Sequence, residues 1–427
     1  MPTKYLLTIA LIIGLFACEI KPKEQEQEQE QEQYQSSRPN ILFISVDDLR
    51  LELGCYGNEE IKSPNIDRLA AEGILFNRAY CQQPICMASR ASILSGLRPD
   101  TLDIFRGLSV EEHAPNITTI NRHFKNNGYQ IWAAGKVYHH GRDRNDQFGE
   151  DYHQVKVNAV GRGYLSEASI KEVEEYDAYY RGWKNQAGGG RGLAFEITEV
   201  ADNEYFDGQM TDMAIAQLDQ YKDSEEPFFM AVGYKKPHLP FCAPKKYWDL
   251  YEGEELKKAD NQYMPKDISQ YFEYNFGELR NYSNIPKGNT PLSDSLEMKL
   301  KHGYYACVSY TDAQIGRLMA QLKETGLDQN TIVILWGDHG WKLGEHDMWC
   351  KHTPFVIDNH VPLMMRMPQQ KDKGITTSAL VELVDVFPTL CELSGLDMPS
   401  HLQGQSFASL LEDLIRIGKK RLIQCGP

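Results

Sequence analysis

Ile41-Leu42-Phe43-Ile44-Ser45-Val46-Asp47-Asp48 is a short apolar run, rich in β-branched residues, that ends on two adjacent carboxylates. A run with no polar alternation suits a central strand buried on both faces of a sheet. The same pattern recurs along the chain. Tyr129 to Ala133 leads into Gly135-Lys136-Val137-Tyr138-His139, and Phe228 to Val232 into Lys235-Lys236-Pro237-His238. Thr331 to Trp336 leads into Gly337-Asp338-His339-Gly340, and Val361 to Met367 is a further candidate strand. Helical stretches lie between the runs, among them Asn65 to Glu72, with Pro64 before it and Gly73 after it, and Thr311 to Lys323. Strand-helix alternation predicts an α/β fold with a large, mixed and mainly parallel sheet between helices. Such sheets bind ligands beyond the carboxyl ends of their strands. Charged residues often follow strands by chance. Chance does not select two Asp, two Lys-plus-His sets and an Asp-His pair.

The chain has 427 residues, is 41% hydrophobic and carries a net charge of -15, so it can bury a large core and is not expected to bind nucleic acid. An anionic substrate would then need a locally basic site. Lys4 followed by the apolar stretch Leu6 to Phe16 reads as a signal peptide over residues 1–18. Leu15-Phe16-Ala17-Cys18 resembles a bacterial lipobox, which implies a lipid anchor at Cys18 and export to the periplasm or the outer-membrane surface. Residues 19–37, with the alternating Gln/Glu run from Glu24 to Gln33, form a spacer with nothing to bury. The folded domain is placed at 38–427. The nine cysteines show no zinc spacing and no disulfide framework, so most read as buried thiols. Gly141 to Phe206, rich in Tyr, Gly and acidic residues, reads as an extended surface region.

Cys86-Met87-Ala88-Ser89-Arg90 continues into Ala91-Ser92-Ile93-Leu94-Ser95-Gly96-Leu97-Arg98-Pro99. An isolated cysteine is ordinarily a buried core thiol. This motif and its continuation instead resemble the sulfatase signature, in which the cysteine is oxidised to formylglycine. The resemblance runs from about Asn40 to Leu411, and the iduronate-2-sulfatase-like branch of the family is the nearest pattern. It is carried by Asp47-Asp48, by Lys136 and His139, by Lys236 and His238, by Asp338-His339, and by Trp349-Cys350-Lys351-His352. It implies a sulfuric ester hydrolase of the alkaline-phosphatase-like fold acting on a sulfated carbohydrate, a 2-O-sulfated uronic acid of glycosaminoglycans being the leading expectation. A phosphodiesterase or phosphonate hydrolase of the same superfold, or an inactive sulfated-glycan-binding relic, are the alternatives.

The resemblance also implies roles. Asp47, Asp48, Asp338, His339 and the oxygen on residue 86 would hold Ca2+, the mostly oxygen donors favouring a hard cation. Arg90, Lys136 and Lys351 would neutralise sulfate oxygens and the formylglycine diol. His139 would accept the diol proton, and His238 with Lys351 would protonate the leaving oxygen. A formylglycine-generating enzyme is the implied maturation partner. Two departures stand out: Ala88 where many sulfatases have Pro, and Lys235 where His often precedes the Lys-Pro-His segment. After about Leu411 the similarity fades, and the family's C-terminal subdomain is expected to be largely missing.

Overall fold

The computed structural model describes residues 38–103, 110, 114–139, 149–184, 189–269, 272, 276–368, 370 and 372–411. The expected leader and spacer, His140 and the chain after Leu411 lie outside the described residues.

An eight-stranded sheet organises the fold. Its strands are β1 (Asn40–Val46), β2 (Ile74–Phe76), β3 (Gln130–Gly135), β4 (Tyr152–His153), β5 (Phe228–Tyr234), β6 (Thr331–Gly337), β7 (Leu363–Arg366) and β8 (Ile375–Thr377). They lie in the order β8-β2-β7-β6-β1-β5-β3-β4. β1 pairs parallel with β5 and β6, and β3 parallel with β5 and β4. β7 runs antiparallel between β6 and β2, and β8 rejoins parallel to β2. The expected mixed, mainly parallel sheet is present, and β7 supplies its reversed direction.

Every residue of β1, β5 and β6 is buried, which is why these strands read as continuous apolar runs. The pleat sends alternate side chains to opposite faces. Leu42, Ile44 and Val46 join one core with Ile66 and Leu69 of α1 (Pro64–Glu72), Met210 and Leu218 of α3 (Phe206–Tyr221), and α4 (Asp294–Glu324). Ile41 and Phe43 join the other with Ile93 and Leu94 of α2 (Cys86–Ser95) and Val386, Phe387 and Leu390 of α5 (Val386–Leu393).

Two differences from the sequence expectation have physical reasons. α4 spans 31 residues rather than only Thr311 to Lys323. It is buried along most of its length, so no single apolar face marks its first half. The stretch from Gly141 to Phe206 is not merely a surface excursion. It holds the helix Glu167–Lys184 and the strand Phe195–Thr198, and Tyr164, Val173 and Ala194 enter the core. Glu196 is buried there because Leu165 N (3.0 Å), Ser166 N (3.0 Å) and the Tyr205 hydroxyl (2.8 Å) all donate to its carboxylate.

α2 is anchored at its far end. Gly96 caps it in the left-handed region (φ 71°), its N–H donating to Ser92 O, and a Cβ at that position would meet Leu402 Cδ2 at 2.3 Å. Gln403 N donates to Gly96 O at 2.9 Å. The Leu402-Gln403-Gly404 segment therefore locks the helix whose opposite end starts at Cys86.

Candidate active site

Successive residues of a strand point to opposite faces. Asp47 and Asp48 could not address one centre if β1 simply continued. Asp48 breaks the strand in the left-handed region (φ 58°), and the turn is pinned by its N–H to Asp338 Oδ1 (3.0 Å) and its carbonyl to the Tyr304 hydroxyl (2.8 Å). One ligand atom from each of Asp47, Asp48, Cys86 and His339 then lies within 4.8 Å of the others, all four residues being buried.

Cys86 is the first residue of α2, where unpaired backbone N–H groups favour an anion. Its Sγ lies 3.0 Å from His339 Nε2 and 4.0 Å from Asp48 Oδ1. His339 Nδ1 faces Gly340 O at 2.9 Å, which turns Nε2 toward the centre. One turn along α2, Arg90 is fully buried. It donates from Nε to Asp338 Oδ2 (2.9 Å) and from Nη1 to Ser45 Oγ (3.2 Å) and Val137 O (3.1 Å), and its Nη2 lies 3.6 Å from Asp47 Oδ1. Lys136, at the end of β3, is ion-paired with Asp47 Oδ2. Lys351 Nζ lies 2.7 Å from Asp48 Oδ1 and 3.0 Å from Glu278 Oε2. Cys350 (φ 69°) and His352 (φ 86°), both left-handed, flank Lys351, so the chain is bent sharply on each side of the buried ammonium.

Nine of the ten sequence-chosen residues thus form one connected cluster, with His238 joined through Glu278 at 3.0 Å. His139 is half-buried on the same loop as Lys136. Asp338 is at the cluster's edge: its oxygens already accept from Arg90, Asp48 N and His339 N (3.1 Å), and Oδ1 is 3.6 Å from His339 Nε2. Glu278, Ser45 and Gly233 were not legible beforehand. Glu278 lies in Phe276-Gly277-Glu278-Leu279, which follows no strand and matches no motif.

Electrostatics follow from burial among charges. Burial pushes the Asp47 carboxyl up, but Lys136, His238, Arg90 and Lys351 outweigh it and hold it well below the usual range. Burial, reinforced by the Asp47 charge, pushes Asp48 up to about 7 despite Lys351. Burial and Asp47 push the Cys86 thiol well up, so as a free thiol it is a poor nucleophile. Asp47 Oδ1 and Asp48 Oδ2 are buried with no hydrogen-bond donor. Unsatisfied buried carboxylate oxygens are costly, and a cation would satisfy both. The residues present therefore fit a hard divalent ion, with Cys86 Sγ standing where a formylglycine oxygen would be.

A cavity of about 490 Å³ opens beside this cluster, lined by Gln83, Ile85, Arg98, His352 and Asn359. Its wall includes the residue before Cys86 and the residue after Lys351. Backbone packing sets the other side. A Cβ on Gly233 would come within 2.2 Å of the Lys136 carbonyl carbon. Gly233→Ala is expected to displace Lys136 and cost about 2 kcal/mol in urea denaturation, and turnover should fall with it.

Among known proteins, the family model described as Sulfatase matches residues 39–396. Iduronate 2-sulfatase of Mus musculus is 34% identical over 398 residues, covering 86% of this chain and 71% of that one. Iduronate 2-sulfatase of Homo sapiens is 34% identical over 413 residues, covering 90% and 73%. In structure, the phosphonate monoester hydrolase of Agrobacterium radiobacter superposes with a TM-score of 0.65 at 22% identity, covering 88% of this chain and 77% of that one.

Proposed function

The chain belongs to the sulfatase family, and we propose that it removes sulfate from a sulfated carbohydrate, with a 2-O-sulfated uronic acid residue as substrate, using calcium and a formylglycine made from Cys86. The observation that carries this is the Cys86 sulfur at a helix N-terminus, clustered with Asp47 and Asp48, which each keep a donor-free buried carboxylate oxygen, and with the buried cations Arg90 and Lys351 and the half-buried Lys136 around them. Identity of 34% to two proteins named iduronate 2-sulfatase supports the choice of sugar.

Calcium, held by Asp47, Asp48, Asp338, His339 and the oxygen on residue 86, would polarise the sulfate and favour the ionised nucleophile. The hydrated formylglycine would supply two hydroxyls on one carbon: one attacks sulfur, and loss of the other's proton lets sulfate depart. Arg90 and Lys136 neutralise oxygens on the sulfate side. His139 takes the proton from the second hydroxyl. His238 and Lys351 face the departing sugar oxygen and protonate it. The cavity beside Arg98 and His352 receives the sugar. A formylglycine-generating enzyme must act first. Export through residues 1–18 and anchoring at Cys18 would place the enzyme at the cell surface or in the periplasm.

The test is sulfate release from a panel of sulfated disaccharides by protein co-expressed with a formylglycine-generating enzyme. Release from a 2-O-sulfated uronate is the expected result. Release only from other sugars would redirect the substrate. Faster turnover of aryl phosphate than aryl sulfate would favour the phosphonate and phosphodiester chemistry of the same superfold. Binding of sulfated glycan without release would make the protein a relic.

The cation has its own test. Asp48, pushed up to about 7 without an ion, must ionise to bind one. Calcium binding to Cys86→Ala protein is expected to release about one proton at pH 6 and roughly none at pH 8.5. Calorimetry in buffers of different ionisation enthalpy reads the count. Equal release at both values would remove Asp48 from the ligand set.

A further inference from the structure

We infer that Glu278 is a positioning residue for leaving-group protonation: its carboxylate bridges His238 and Lys351 and keeps a hydrogen on His238 Nε2, the atom that hands it to the sugar oxygen. The inference rests on the sulfatase reading above and adds a residue outside every motif that led to it.

The geometry is a closed chain of contacts. His238 Nδ1 lies 2.6 Å from Leu239 O. A carbonyl oxygen only accepts, so Nδ1 carries a hydrogen. Nε2 lies 3.0 Å from Glu278 Oε1. Two bare lone pairs would repel at that separation, so a hydrogen lies between them. Burial, and after it the Lys351 charge, pulls the pKa of the ring down, and the Glu278 carboxylate, with Asp47, opposes that and favours the hydrogen on the ring side. The second carboxylate oxygen, Oε2, lies 3.0 Å from Lys351 Nζ. Lys351 would otherwise be committed to Asp48 Oδ1 at 2.7 Å alone. Glu278 thus holds both donors on one carboxylate, Nε2 of His238 and Nζ of Lys351 each 3.0 Å from it. Lys236 completes the frame, its Nζ donating to His238 O at 3.0 Å and fixing the backbone that carries the ring. Glu278 and His238 side chains are each 15% exposed, whereas Lys351 is 2% exposed, so the pair stands at the open margin of the site with Lys351 behind it.

An acidic side chain near an anionic substrate is unfavourable unless it does something specific. Lys351 and His238 together offset the cost of burying it and hold the Glu278 carboxyl well below its usual range. It touches both of the groups assigned above to protonating the leaving oxygen.

Leaving-group dependence tests the inference. A nitrophenolate departs without help, whereas an unsubstituted phenolate or a sugar alkoxide needs a proton. Wild type, Glu278→Gln and Glu278→Asp would be compared on 4-nitrophenyl sulfate, on less activated aryl sulfates through phenyl sulfate, and on the sulfated disaccharide. Glu278→Gln is expected to lose on the order of 10²-fold in kcat on the disaccharide, and only a few-fold on 4-nitrophenyl sulfate. The loss should grow along the aryl series, and Glu278→Asp should recover part of it. Equal loss on all substrates, no loss, or faster turnover because a competing carboxylate has gone would each overturn the inference. If wild type acts on aryl sulfates but on no sugar, the carbohydrate reading fails while the aryl series still decides the role of Glu278.

Discussion

Cys86→Ala protein is expected to release sulfate on the order of 10⁶-fold more slowly than the matured wild type, the scale set by removing a catalytic nucleophile. The change removes one buried sulfur and costs about 1 kcal/mol of stability. The helix start, the Arg90 contacts and the proposed cation ligands Asp47, Asp48, Asp338 and His339 all stay in place. Activity should therefore collapse without unfolding, which urea denaturation and calcium binding on the same sample would establish. Cys86→Ser is the sharper control. A serine hydroxyl could attack sulfur once, but it has no second hydroxyl on the same carbon to expel sulfate. At most one turnover is expected, leaving a sulfated serine visible by mass spectrometry. Multiple turnovers from either variant would remove the formylglycine mechanism.

Asp338→Ala is expected to be the most destabilising single change at the site, by about 3–5 kcal/mol, the cost of leaving a buried charge without its partner. Asp338 and Arg90 are both fully buried. Asp338 pairs with Arg90 Nε at 2.9 Å and also accepts from Asp48 N and His339 N. Removing it strands a guanidinium whose nearest remaining carboxylate, Asp47 Oδ1, is 3.6 Å away and whose other acceptors are neutral. It also frees the turn that brings Asp48 round. Measurement in chelator separates this from loss of the cation. Asp338→Asn, which can still accept from a backbone N–H, should fall between wild type and Ala. A loss below about 1 kcal/mol for Asp338→Ala would mean that water reaches Arg90 and that the pair is not as dry as its burial indicates.

Some of this arrangement is legible in the sequence alone. Ile41 to Val46 and Thr331 to Trp336 read as fully buried strands because burial on two faces removes the polar alternation. Asp47, Lys136 and Asp338 could be placed beyond strand ends because strand and turn signals are local in sequence. Cys86 at a helix start was readable for the same reason. The direction of β7 was not, since a short apolar run carries no sign of which way it will lie against its neighbour. The first half of α4 was hidden because burial along most of its length erases helical periodicity.

What the sequence by itself determined is the set of chemical groups and the strands that end in them. Only the tertiary structure decided how those charges are shared: Lys136 on Asp47, Arg90 on Asp338, and Lys351 between Asp48 and Glu278. It also left Asp47 Oδ1 and Asp48 Oδ2, among other buried oxygens, without a hydrogen-bond donor, which is where the proposed cation would fit. The physical reason is that pairing depends on distances of a few ångströms between residues that are tens to hundreds of positions apart, such as Asp48 and Lys351. Burial then sets the strength of each pair, and burial belongs to the fold as a whole.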